Sequence, residues 1–169
     1  RSELGRYPLI TSIINQSVKY YARMEGMDTG RLVKQVYDKT KEYSIGEWHN
    51  TINSVLECVD MQDESHNTNF SNKQAHKLFL KHFKENFECE FEDMWYSYLM
   101  DQENRLLTYK TFKAKYEYEQ YLDLIQDPRM RSTLSRLRLS AHNLEIEVGR
   151  WKNIDIKSRI CKLCNNGLI

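Results

Sequence analysis

A chain of 169 residues that is 40% hydrophobic and 29% charged, with only six glycines and two prolines, has the composition of one or two ordered, helix-rich units, which argues against a disordered chain. Its net charge of +1 hides an asymmetry, because residues 1–128 carry 16 Lys and Arg against 21 Asp and Glu whereas residues 129–164 carry 9 against 3. No apolar run approaches the ~20 residues of a bilayer span, the opening RSELGRYPLI lacks a secretory core, and four scattered cysteines suit a reducing compartment, so the expected setting is intracellular, nuclear or cytoplasmic, with no membrane partner.

In chain order, Ile10, Ile13, Ile14, Val18 and Tyr21 recur at helical spacing after Pro8 and predict a helix over 9–24, ended by Gly26. Leu32, Val33, Val36 and Tyr37 share one face of a second helix, broken at Gly46, and Trp48, Ile52, Val55, Leu56 and Val59 predict a third. The stretch QDESHNTNFSN, residues 62–72, has no aliphatic residue and many that bond their own backbone, so it is expected to be a loop at a subdomain boundary. Apolar residues from Leu78 to Leu99 predict one long helix or two abutting ones, and the stripe Leu106, Tyr109, Phe112, Tyr116 and Leu122 continues it until QDP. From Arg129 the pattern mixes arginines with Leu134, Leu137, Ala141, Leu144 and Val148, a helix to about His142; LEIEV is open between helix and strand. The expected fold is all-α, a bundle of about five to seven helices with an irregular C-terminal tail, divided as 1–62, 63–128 and 129–169.

Candidate chemistry is sparse. The aromatic stripes between Phe79 and Tyr121 read as buried helix faces, and the carboxylate pairs Glu117 with Glu119 and Glu145 with Glu147 point to different sides of a helix. There is no phosphate-binding glycine loop, nucleophile elbow or polymerase-type aspartate pair, so the chain is not expected to be an enzyme by itself or to take a small-molecule substrate. Arginines at 129, 131, 136, 138, 150 and 159 offer sequence-independent phosphate contacts, and Trp151 a stacking surface. The competing reading is a basic end docked on its own acidic body. Cys161 and Cys164 form a C-x-x-C pair that suits two corners of a tetrahedral zinc site, a redox pair or two incidental thiols; His142 is expected to be structural.

Residues 131–167 resemble the region downstream of the polymerase domain in LINE-type (non-LTR) retrotransposon reverse transcriptases of animals. Arg136, Arg138, Ser140, His142, Leu144, Ile146, Glu147, Gly149, Arg150 and Trp151 fit an R-x-R-x-S-x-H-x-L-x-I-E-x-G-R-[YW] run. Cys161 and Cys164 fit the first two ligands of the CCHC zinc knuckle that follows it. Glu3, Leu4, Gly5, Arg6, Pro8 and Leu9 match the phrase after the polymerase core, and NRLLTYKTFKAKYEYEQYL is similar to the middle more loosely. The resemblance implies a helical connector between thumb and knuckle that holds template RNA or target DNA without doing chemistry, beside the rest of a polymerase polypeptide. The contacts it implies are Arg131, Arg136, Arg138, Arg150, Trp151 and Lys152 to nucleic acid and Cys161 and Cys164 to zinc. The His and Cys that complete the knuckle are not among these 169 residues, so the implied zinc ligand set is incomplete and the sequence looks cut, or evolved to end, inside the motif. The alternative is a helical protein-interaction module, or a domesticated retroelement remnant that binds no nucleic acid.

Overall fold

The computed structural model describes residues 3–43, 46–101 and 107–160. Among them the fold is all-α: α1 (Leu9–Glu25), α2 (Leu32–Glu42), α3 (Trp48–Cys58), α4 (Gln62–Asn67), α5 (Lys73–Met100), α6 (Leu107–Phe112), α7 (Tyr121–Leu124), α8 (Pro128–Arg138) and α9 (Glu145–Trp151), then a 3₁₀ turn at Ile156–Ser158. No described helix is long and apolar enough to cross a membrane. The chain divides into two compact units, residues 7–94 and residues 1–6 with 95–169, so the division falls within α5.

In the unit of residues 7–94, Val18, Tyr21 and Ala22 of α1, Ile52 and Leu56 of α3 and Phe79 and Phe83 of α5 meet in one buried cluster. Val59, Met61 and Phe70 close it. Phe70 and Phe79 cross edge to face at 4.9 Å, the arrangement that ring quadrupoles favour. Of the polar stretch expected as a loop, residues 68–72 are not helical, but residues 62–67 form α4, because Met61 before it and Phe70 after it are buried and pin it to this core, and the side chains of Ser65 and Thr68 bond to carbonyls of its own turns. A single helix then runs through Lys73–Met100, started by Asn72, whose Oδ1 accepts the backbone N–H groups of Gln74 and Ala75.

Helix α2 departs most from its pattern. Its apolar face was expected to pack, yet Leu32 is 73% exposed and Val33 and Val36 are more than half exposed. The buried residues of the helix are Lys34 and Tyr37. They and Lys41 converge on one carboxylate, Glu25 at the end of α1, with Tyr37 Oη at 2.7 Å, Lys41 Nζ at 2.8 Å and Lys34 Nζ at 3.5 Å. A carboxylate at a helix C-terminus meets the negative end of the macrodipole, and the two ammonium groups offset both charges. Burial alone would raise the Glu25 pKa, but the bonds from Lys41 and Tyr37 and the charges of Lys41 and Lys34 outweigh it and hold the carboxyl below its usual range.

In the other unit, the expected helix over the middle aromatic stripe is interrupted. Residues 113–120 are not helical, and Tyr118 instead pairs as an isolated antiparallel bridge with Leu4. Gly5 makes the approach possible: its φ is +56°, and a Cβ there would stand 2.6 Å from the Tyr118 nitrogen. Helix α8 follows Asp127, which caps it by accepting the Arg129 N–H at 2.8 Å, with Pro128 at its first position. It ends at Arg138, short of His142, because Ser140 adopts a left-handed backbone (φ 54°) and the Ala141 N–H closes back on the Arg136 carbonyl. Of LEIEV, Glu145 to Val148 are helical in α9, with Leu144 as its extended N-cap.

Candidate nucleic-acid interface

Helix α8 presents two opposite faces, both with arginines. Arg131, Leu134, Ser135 and Arg138 fall at i, i+3, i+4 and i+7 and turn inward; Arg129, Ser132, Thr133 and Arg136 follow the same spacing and are all exposed. The inward pair is committed. Arg131 donates from Nη1 to the Leu122 carbonyl at 2.9 Å. Arg138 is 8% exposed and lies between two carboxylates, with Nε 3.3 Å from Glu3 Oε2 and Nη2 2.9 Å from Glu119 Oε2. The rings of Phe112 and Tyr121 flank its guanidinium at 5.6 and 5.0 Å.

Glu119 also holds Lys113, which is fully buried and donates in addition to the Glu117 carbonyl. Four charged side chains therefore weld residues 3–5, 113–119 and α8 together. Phosphate contact expected of Arg138 is corrected to a structural role: its guanidinium is already matched in charge and shielded from water. The reason is the return of the chain's opening residues, with Glu3, to the side of α8.

Much of the R-x-R-x-S-x-H run serves the same local purpose. Ser140 Oγ accepts the Thr108 N–H at 3.0 Å, and the His142 ring lies 3.5 Å from Thr108 Oγ1 through Nε2 while Nδ1 accepts the Leu144 N–H at 3.3 Å. The structural role expected for His142 is thus visible. In α9, Glu147 is 1% exposed and faces Arg150 Nη2 at 2.6 Å. Gly149 leaves room for the stem of Arg159, which a Cβ would meet at 2.5 Å, and Arg159 reaches the carbonyls of Ile154 and Ile146.

What remains outward is Arg129 and Arg136 on α8, and Trp151 (69% exposed), Lys152 and Lys157 after them. No described carboxylate lies within ion-pair distance of Arg129, Arg136, Lys152 or Lys157. Arg150 lies over the Trp151 ring at 5.6 Å, which stiffens a surface suited to base stacking. Of the six expected contacts, Arg136, Trp151 and Lys152 are exposed, Arg131 and Arg150 are half-buried and engaged, and Arg138 is internal. Arg129 belongs with the exposed set; its seven-residue spacing from Arg136 was legible, but which arginines face outward was not.

Cys161 and Cys164 lie outside the described residues. Among the described residues no three His, Cys, Asp or Glu side chains are grouped to hold a metal ion, and Cys58 and Cys89 are exposed free thiols. Comparison of the chain with protein-family models, curated proteins and solved structures gives no match.

Proposed function

We propose that this chain is a helical nucleic-acid-binding region of a LINE-type retroelement reverse transcriptase, which holds RNA or DNA by its phosphates and leaves the chemistry to a polymerase. The observation that carries the reading is the outer face of α8, where Arg129 and Arg136 flank the hydroxyls of Ser132 and Thr133 with no carboxylate of the described residues within ion-pair distance. Two helical turns separate the two residues by roughly 10 Å along the axis, which lets each reach a different phosphate. Exposed Trp151 and Lys152 add a stacking ring and a third cation. Contacts of this kind carry affinity without sequence preference.

The retroelement origin rests on the sequence resemblance at both ends. Glu3 and Gly5 of the opening phrase and Arg138 of the later run, far apart in sequence, take part in one welded assembly. Zinc at Cys161 and Cys164 belongs to the same resemblance and requires ligands from beyond this pair. Fluorescence anisotropy with short labelled single-stranded RNA and duplex DNA of unrelated sequences tests the reading. Binding at low salt with similar affinity for each sequence is the expected result, and no binding at low salt sinks it.

A further inference from the structure

The apolar face that α2 turns outward is one wall of a groove. Tyr20 and Met24 of α1, Leu32, Val33 and Val36 of α2 and Trp48 of α3 line a cleft of about 500 Å³. Ile13, Gln16, Tyr20 and Trp48 line a second of about 420 Å³, so Tyr20 and Trp48 are common to both and the two make one trough along α1. From Ile13 to Met24 the trough runs roughly 17 Å, the length of three turns of helix. A contiguous apolar surface of this kind on a charged chain marks a contact site.

The rim supplies the chemistry of the occupant. Ser12, Gln16, Lys19 and Arg23 fall at i, i+4, i+7 and i+11 along α1, and Ser12 and Gln16 of this stripe line the second cleft. Lys19 and Arg23 are exposed and have no carboxylate partner among the described residues. Among the described residues no carboxylate lines either cleft. Tyr37 and Lys41 also line the first cleft and hold Glu25, and exposed Glu47 precedes Trp48; neither Glu25 nor Glu47 is among the residues that line the trough.

We propose that this trough is a docking site for an amphipathic helix of a partner protein, about three turns long, with apolar anchors at i, i+3, i+4 and i+7 and acidic residues on the flank that faces Lys19 and Arg23. The apolar anchors fill the clefts over Val33, Val36 and Trp48, and the acidic flank sets the direction in which the helix lies. The site is separate in residues and in ligand from the arginine face of α8.

The test is selection of a phage-displayed peptide library on the whole chain, followed by affinity measurement of the selected peptides on Val36→Asp and on Lys19→Glu/Arg23→Glu. The variants alter exposed positions, and an unchanged thermal melt shows that they fold. Expected are peptides with helical apolar spacing and acidic flanks, weakened about tenfold or more by Val36→Asp, as for a centrally placed contact. The doubly reversed rim is expected to shift preference to basic flanks. Selected peptides without helical spacing, or equal binding to all three chains, overturn the proposal. So does a dimer of the free chain by sedimentation that Val36→Asp dissociates, which would make a second copy the occupant.

Discussion

The two units differ in what fills their interiors, a clustered apolar core in one and paired charges in the other. Residues 7–94 carry 10 Lys and Arg against 14 Asp and Glu and bury an apolar cluster, while leaving Leu32, Val33 and Val36 in water. The unit of residues 1–6 and 95–169 carries 15 against 10 and buries Lys113, Arg138 and Glu147 beside Leu99 and Tyr109. Both units leave some apolar side chains outside, Leu124 and Met130 in the second as Leu32 and Val36 in the first, and Lys34 is buried in the first; the second takes more charge inside, with Lys113, Arg138 and Glu147. A buried charge persists only with its partner, so cations counted in a sequence overstate those free for a ligand by the number that internal carboxylates claim. In α8 that claim takes Arg138 and leaves Arg129 and Arg136.

The comparison is broken most forcefully at the apolar core. Leu56→Ala, at a fully buried position, is expected to cost about 2–5 kcal/mol in urea denaturation, against about 0.5 kcal/mol or less for Leu32→Ala. Equal losses would mean that the α2 face is part of the core. Next in size is Arg138→Ala, which strands the carboxylates of Glu3 and Glu119 and is expected to cost about 2–4 kcal/mol, while Arg136→Ala is close to neutral.

Smallest is Glu25→Gln, expected to cost about 1–3 kcal/mol by weakening charge-assisted bonds from Tyr37 and Lys41. Because the folded carboxyl is held below its ordinary value of 4.5, the unfolded chain binds more protons in that window. The stability from Glu25 is therefore complete above that value and lost as pH falls through the folded one. Melts from neutral to acid pH should show a shallower acid decline in the Gln variant; parallel profiles would contradict the assignment.

The helical fold was legible because α1, α3 and α5 place their apolar residues at the spacing that the core uses. α4 was missed because its polar residues say nothing of Met61 and Phe70 at its ends, which hold it to the core. The outward turn of α2 was missed because Lys34, Tyr37 and Lys41 also recur at helical spacing, and the stripe that docks is decided by a carboxylate on another helix. The arginine face was half legible: periodicity groups Arg129 with Arg136 and Arg131 with Arg138, but only the return of Glu3 decides which pair is enclosed.

The most direct test of the central claim is the salt dependence of duplex DNA affinity for the native chain and for Arg129→Ala/Arg136→Ala. Two lost phosphate contacts are expected to reduce the slope of log affinity against log salt by about 1.8, with weaker binding of every sequence and an unchanged melt. An unchanged slope in a folded double variant would show that the outer face of α8 does not meet phosphates, and would contradict the account.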